Sequence, residues 1–186
     1  MELKKGRSYY MDKKKLIYPK AYFKNVQQIT IQFLIKNKIK ALILDVDNTL
    51  IDYKKKMSKE VEEWSKELQG QGIKMYILSN TNKKEKVKKV ANKLEIPYKI
   101  LAKKPSKKGF NEIQQELKIN NENIGVVGDQ IFTDVFGGNK VGIKTCLVEP
   151  LNDTELKFTR FMRKLEKKTL NYYSKQGKFT KGDYYD

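Results

Sequence analysis

The stretch Ala41-Leu42-Ile43-Leu44-Asp45-Val46-Asp47-Asn48-Thr49-Leu50 decides the fold of this chain and points to its chemistry. Residues 41–44 are apolar, which is typical of a fully buried strand, and two carboxylates at i and i+2 follow directly. Side chains at i and i+2 point the same way, so Asp45 and Asp47 can converge on one ligand. Two close carboxylates repel, which predicts a cation between them or a proton on one. A magnesium-dependent phosphoryl-transfer site meets both conditions, and a solvated turn is the structural alternative.

The composition excludes several classes of site. The chain has 186 residues, no histidine and one cysteine, Cys146. Histidine acid–base chemistry, the usual zinc sites and an internal disulfide are therefore excluded. Carboxylates, lysines, hydroxyls and a hard metal remain for catalysis. No segment has the roughly 20 apolar residues that span a bilayer, so we expect a cytoplasmic protein that is at most peripheral on the inner face of the membrane.

The net charge of +18 is unevenly distributed along the chain. Residues 1–40 carry +9, residues 41–150 carry +5 and residues 151–186 carry +4. Such an excess favours contact with an anionic surface, either lipid headgroups or RNA. A lysine-rich composition without functional meaning is the alternative explanation.

The apolar pattern predicts one α/β domain. Short apolar runs alternate with helical patterns, which indicates a Rossmann-like, doubly wound parallel sheet of about five strands. Residues 1–24 are predicted to be an irregular basic and aromatic arm, 25–170 the domain and 171–186 a tail. The apolar runs are 41–45, 73–78, 98–101, 124–128 and 143–148; the helical patterns are 58–69, 83–94 and 106–118, with a first helix capped by Asn25 and a last one capped by Asp153.

Polar residues follow four of the apolar runs. The carboxyl ends of parallel strands meet at one edge, where ligands of open α/β sheets collect. Each residue alone is more readily explained as a turn or a helix cap, but together they supply carboxylates, a hydroxyl and a lysine around one site. These residues are Asp45, Asp47, Ser79, Asn80, Lys104, Asp129 and Asp134.

The motifs resemble those of the haloacid-dehalogenase (HAD) superfamily, subclass IIIA. Asp45-Val46-Asp47-Asn48-Thr49, Ser79, Lys104 and Gly128-Asp129…Thr133-Asp134 match its four motifs in order. Within the superfamily the chain is similar to the YqeG branch, which is related to the phosphatidylglycerophosphate phosphatases. Tyr18-Pro19, Lys104-Pro105 and Thr159…Arg163…Glu166 also fit this branch.

The resemblance implies a role for each motif residue. Asp45 would be the nucleophile that forms an aspartyl-phosphate, and Asp47 the general acid and base. Mg²⁺ would be bound at Asp45, Asp129 and the backbone carbonyl of Asp47, with Asp134 supporting the metal site or Lys104. Ser79 and Lys104 would bind phosphoryl oxygens. Thr49 and Asn80 would also belong to the substrate-binding site, and Thr49 would support the nucleophile loop.

The spacing of the motifs leaves no room for a sizeable cap domain. The intervals from Asp45 to Ser79 and from Ser79 to Lys104 are filled by ordinary loops, helices and strands. An uncapped site admits a phosphomonoester on a large body, such as an anionic lipid headgroup, and the basic aromatic arm suits a membrane surface. Two alternatives remain: a phosphatase of a small soluble phosphoester, and an RNA- or ribosome-associated protein that uses the arm.

Overall fold

A parallel sheet of six strands forms the centre of the protein. The computed structural model describes residues 15–152 and 157–175. The order across the sheet is β1-β6-β5-β2-β3-β4, and every neighbouring pair is parallel. The α/β doubly wound prediction is therefore confirmed, with one strand more than expected. The strands are β1 (Ala21–Phe23), β2 (Ala41–Leu44), β3 (Lys74–Leu78), β4 (Tyr98–Lys99), β5 (Ile124–Gly128) and β6 (Lys144–Val148).

Helices cover both faces of the sheet. One apolar core lies between the sheet and the side chains of the first three helices, and a second lies between the sheet and the fourth helix. Cys146 is buried, and this burial raises the pKa of its thiol to about 12, which fits a structural residue. The helices are α1 (Ile31–Lys36), α2 (Lys59–Gly70), α3 (Lys84–Leu94), α4 (Lys107–Leu117), α5 (Phe136–Lys140) and α6 (Lys157–Lys175).

The N-terminal prediction needs two corrections. Ala21–Phe23, which we assigned to the irregular arm, forms the edge strand β1 and pairs with β6. The predicted helix after Asn25 is broken in two, because the Asn25 side chain caps only a 3-10 turn over Val26–Gln28. The hydroxyl of Thr30 then accepts a hydrogen bond from the amide of Phe33 and starts α1. The apolar residues of this segment are buried, but two caps interrupt the helix; these residues are Val26, Ile29, Phe33 and Leu34.

The remaining elements follow the pattern closely. Ser58 and Ser106 occupy the N-cap positions of α2 and α4. The predicted strand 98–101 ends at Lys99, because Leu101 has a φ of 52° and its amide donates to the carbonyl of Thr81. The predicted cap at Asp153, residues 1–14 and the tail beyond residue 175 lie outside the described residues.

The winding of the chain changes direction beside β2. From β2 the chain proceeds through β3 to β4 on one side, whereas β5 and β6 lie on the other. The segment between residues 45 and 104, all of which is described, contains only loops, α2, β3, α3 and β4, so it includes no cap domain. None of the described helices is long and apolar enough to cross a bilayer. The crevice between the ends of β2 and β5 is the topological switch point, where open α/β sheets bind ligands.

Candidate active site

Three buried carboxylates lie together at the switch point. Asp45 follows β2, Asp129 follows β5 and Asp134 lies in the wide helical turn after β5. Asp45 is 8% exposed and the other two are 2% exposed, and one carboxylate oxygen from each lies within 4.8 Å of the others. The parallel ladder continues to Asp45, whose amide donates to the carbonyl of Val127 over 2.9 Å. The sheet itself thus fixes the distance between the groups after β2 and β5.

The ammonium of Lys104 lies between two of these carboxylates. Its Nζ is 2.6 Å from Oδ1 of Asp45 and 2.6 Å from Oδ1 of Asp134, and the residue is 6% exposed. Burial alone would lower the pKa of Lys104, but the two carboxylates outweigh it and hold that pKa above its ordinary value. Burial also raises the pKa of Asp45 to about 8, a shift that Lys104 opposes and that Asp134 and Asp129 reinforce.

Asp134 has protein donors at both of its oxygens. Besides Lys104 at Oδ1, the backbone amide of Gln130 donates to Oδ2 over 3.3 Å and the hydroxyl of Thr133 donates to it over 3.2 Å. A side-chain carbon at Gly128 would collide with the Asp134 carboxylate, so glycine is required there by close approach. This arrangement orients Asp134 towards Lys104.

Three further predicted residues make hydrogen bonds at this end of the sheet. Thr49 is buried, and its hydroxyl donates to Oδ1 of Asp129 over 3.2 Å. Ser79 is 2% exposed at the end of β3, and its Oγ accepts from the amide of Thr81. The Asn80 side chain accepts from the amide of Lys104 over 2.6 Å and donates to its carbonyl over 3.1 Å. Asn80 therefore fixes the backbone that carries Lys104, which the sequence did not indicate.

The carboxylate of Asp47 lies apart from the buried cluster. Its side chain is 51% exposed, and both of its oxygens are 2.5 Å from Nζ of Lys86 in the first turn of α3. Its side chain is thus not among the grouped carboxylates, and binding of a metal through its backbone carbonyl stays a prediction. Sequence reasoning missed Lys86, because it is one of five lysines between residues 83 and 89.

The last helix contacts the loop that carries Asp129 and Asp134. Glu166 in α6 is 4% exposed, and its Oε1 accepts from the amide of Phe132 over 3.3 Å. Phe132 lies between the two aspartates, so α6 helps to hold the loop in place. The similarity to the YqeG branch already pointed to Glu166, without indicating this contact.

The donor set of the cluster fits a hard divalent cation. The three grouped residues offer only carboxylate oxygens, and the group contains neither cysteine nor histidine. Three carboxylates beside one ammonium leave an excess of negative charge. Mg²⁺ prefers such oxygen ligands, whereas zinc prefers nitrogen and sulfur. Within the cluster, Asp134 accepts hydrogen bonds at both of its oxygens.

Comparisons with known proteins identify the family of this chain. Residues 5–152 match the family model for mitochondrial PGP phosphatase. "Probable phosphatase YqeG" of Bacillus subtilis is 36% identical over 165 residues, covering 88% of this chain and 95% of the relative. A solved structure from Porphyromonas gingivalis, described as a predicted HAD-like family hydrolase, has a TM-score of 0.51 at 13% identity and covers 68% of this chain and 98% of its own. The structure of an uncharacterised Listeria monocytogenes protein has a TM-score of 0.51 at 22% identity, and the match covers 63% of this chain and 85% of that protein. The chain therefore belongs to the PGP phosphatase family and is a YqeG-like probable phosphatase.

Proposed function

We propose that this phosphatase hydrolyses phosphomonoesters with the help of Mg²⁺, through an aspartyl-phosphate on Asp45. The observation that carries this proposal is the position of the Asp45 carboxylate. It lies at the switch point, against the buried Lys104 ammonium and beside Asp129 and Asp134. A carboxylate held at a strand end by an ammonium is oriented for attack on a phosphorus atom whose charge that ammonium offsets.

The reaction divides into two displacements at phosphorus. In the first, a carboxylate oxygen of Asp45 attacks phosphorus, the bond to the ester oxygen breaks and Asp47 gives its proton to the leaving alkoxide. In the second, Asp47 takes a proton from water as that water attacks phosphorus, and phosphate leaves Asp45. Lys104 and Ser79 bind phosphoryl oxygens throughout. Asp45, Asp129 and the backbone carbonyl of Asp47 would hold Mg²⁺, which would supply positive charge close to the phosphoryl oxygens.

Binding of Mg²⁺ is expected to strengthen as pH rises from 6 to 8. The metal-free Asp45 carboxyl has its pKa raised to about 8, chiefly by burial, so Mg²⁺ must displace a proton below that pH. The raised pKa also means that Asp45 contributes less to the stability of the metal-free protein as pH rises through 8. Each pH unit below 8 should weaken apparent Mg²⁺ affinity by up to about tenfold, measured by calorimetry and thermal shift.

The matched control for this titration is Asp45→Asn, which should lose most of the pH dependence between 6 and 8. An Mg²⁺-induced thermal shift that is equal at the two pH values in the wild type would contradict the assignment of Asp45 as a ligand. Activity should disappear in EDTA and return with Mg²⁺ but not with zinc.

We further propose that the substrate is an anionic lipid phosphomonoester, with phosphatidylglycerophosphate as the first candidate. Exposed apolar side chains lie at the same sheet edge as the site. Tyr53 is 51% exposed, Leu101 57% and Leu151 41%. The loops of Tyr53 and Leu151 touch, since the amide of Tyr53 donates to Asn152 and that of Leu151 to the carbonyl of Asn48. Exposed lysines of this edge are Lys54, Lys55, Lys56, Lys83, Lys84, Lys103, Lys107 and Lys108.

A basic edge with apolar side chains suits an anionic bilayer, where each nearby lysine contributes about 1 kcal/mol. The open site supports this proposal, because a headgroup could reach Asp45 without leaving the membrane. Contact with such a surface would make the protein cytoplasmic and peripheral on the inner face. Lys4, Lys5 and Arg7 of the arm would add to this attraction, although residues 1–14 lie outside the described part of the chain.

The lipid proposal predicts a substrate-selective loss. The double variant Tyr53→Ser/Leu101→Ser should lower turnover of phosphatidylglycerophosphate in mixed micelles by about fivefold or more and weaken binding to anionic vesicles. Hydrolysis of soluble p-nitrophenyl phosphate should change by less than about twofold, since neither residue belongs to the cluster. Ile35→Ser is the matched control, because Ile35 is 69% exposed at the opposite sheet edge.

Two results would contradict the proposal of a lipid substrate. Equal activity of the wild type on soluble esters and on the lipid, with no effect of the double variant, would favour a small soluble substrate. Tighter binding to RNA than to anionic vesicles at matched salt would favour the RNA- or ribosome-associated alternative.

A further inference from the structure

We propose that Lys86 is a positioning residue that holds the Asp47 carboxylate on the outer side of the reacting phosphoryl group. This inference rests on the proposed function, because it concerns the proton donor of that reaction. Lys86 belongs to none of the four motifs of the superfamily. Its role follows from the contact between α3 and the loop after β2.

The contact joins one ammonium to both oxygens of a single carboxylate. Nζ of Lys86 lies 2.5 Å from Oδ1 and 2.5 Å from Oδ2 of Asp47, so one ammonium contacts both oxygens. The Lys86 side chain is only 12% exposed, whereas that of Asp47 is 51% exposed. A mostly buried lysine has little freedom to leave, so it restrains the rotamer of its more exposed partner.

The adjacent residues of α3 fix where this ammonium lies. Val87 and Val90 are buried in the core beneath the helix. They anchor the first turns of α3 against the sheet, at the edge that also carries Ser79 and Asn80. The position of Lys86 is therefore set by core packing rather than by the ion pair.

The two carboxylates of the Asp-x-Asp motif have separate cations. Lys104 contacts Asp45 inside the cluster, and Lys86 contacts Asp47 at the surface. This separation keeps the nucleophile and the proton donor from competing for one ammonium.

The separation matches the geometry of an in-line displacement. The attacking and leaving oxygens lie on opposite sides of phosphorus, roughly in line. With Asp45 buried, the leaving alkoxide of an ester that enters from solvent faces outwards. Asp47 lies on that outer side only if its side chain is held there, and Lys86 supplies the restraint. We expect the carboxyl to make a small rotation from Lys86 towards the leaving oxygen when the ester binds.

Leaving-group dependence tests this role. General-acid help matters most for a poor leaving group, such as the alkoxide of glycerol phosphate, and least for p-nitrophenolate. Lys86→Met should lower kcat for glycerol phosphate by about tenfold, with KM changed by less than about twofold. It should lower kcat for p-nitrophenyl phosphate by less than about threefold. Lys86→Arg, which keeps the cation, should recover much of the loss.

The chain offers a close control on the same helix. Lys93 of α3 also pairs with a carboxylate, that of Glu62 in α2, but away from the site. Lys93→Met should retain wild-type kinetics on both esters. Thermal melts of both variants would show that neither is unfolded under assay conditions.

A double-mutant cycle separates positioning from a general structural effect. If Lys86 acts through Asp47, Lys86→Met should cause no further loss in the Asp47→Asn background. An equal loss on both esters, an additional loss in that background or a rise in KM at constant kcat would overturn the proposal. Absence of Mg²⁺-dependent hydrolysis by the wild type, or full activity of Asp45→Asn, would instead overturn the proposed function, and this inference with it.

Discussion

Replacing Asp45 by asparagine is expected to lower turnover by at least about 10⁴-fold while the fold persists. The amide has nearly the shape of the carboxyl but is a poor nucleophile, so the aspartyl-phosphate does not form. The fold should tolerate the change, because the side chain keeps its size and burial already disfavours a charge at this position, as the raised pKa of Asp45 shows. The asparagine oxygen can still accept from Lys104. The measurement is steady-state hydrolysis of p-nitrophenyl phosphate beside a thermal melt.

Asp52→Asn is the control for this experiment. Asp52 belongs to the same loop and accepts from the amide of Lys56 over 2.8 Å, outside the buried cluster. It should keep at least about half of the activity. Residual activity of Asp45→Asn within tenfold of the wild type would remove Asp45 from the role of nucleophile.

The position of the site was predictable from the sequence, because its residues directly follow the ends of predicted strands. Asp45 and Asp129 directly follow buried apolar runs, and parallel pairing of those runs places their ends side by side. Lys104 and Gly128-Asp129 likewise lie at or just after the ends of predicted apolar runs. Once the sheet is parallel and doubly wound, these groups lie at one edge, and the buried cluster with Lys104 confirms their proximity.

Contacts that depend on side-chain direction were not predictable. Lys86 and its lysine neighbours are alike in sequence, and only the packing of Val87 and Val90 turns Lys86 towards Asp47. The pairing of Asn80 with the backbone of Lys104 likewise depends on how two loops meet. Sequence alone places Lys86 on a solvated surface, and it indicates Asn80 as a site residue without indicating its contact with the backbone of Lys104.

The edge strand β1 was not predicted because it is very short. It has three residues and lies within a basic, aromatic segment that lacks period-two alternation. Its partner β6 lies more than 120 residues away in sequence, so pairing depends on the finished sheet. The break between the 3-10 turn and α1 was also missed, since the apolar spacing of a continuous helix persists through it.

Lys104→Met is expected to have the largest effect on stability. It removes the ammonium that lies 2.6 Å from both Asp45 and Asp134 and leaves the buried carboxylates without that partner. Breaking a buried ion pair from one side costs about 3–5 kcal/mol of unfolding free energy. Lys99→Met is the control, because Lys99 pairs with Glu112 and Glu116 nearer the surface and should cost less than about 1 kcal/mol.

Magnesium distinguishes the structural role of Lys104 from its catalytic one. The carboxylates left by Lys104→Met should bind a divalent cation readily, so Mg²⁺ should raise the melting temperature of this variant more than that of the wild type. The refolded, Mg²⁺-loaded variant should still hydrolyse p-nitrophenyl phosphate about 10²–10³-fold more slowly, since a metal between carboxylates does not replace a donor to the phosphoryl oxygens. Recovery of full activity with Mg²⁺ would show that Lys104 only neutralises the cluster. A melting temperature unchanged from the wild type would show that the ion pairs do not stabilise the fold. If Mg²⁺ restores the stability of the variant but not its activity, the Lys104 ammonium has two roles. It balances the charge of the carboxylates at the end of β2, and it binds the phosphoryl group.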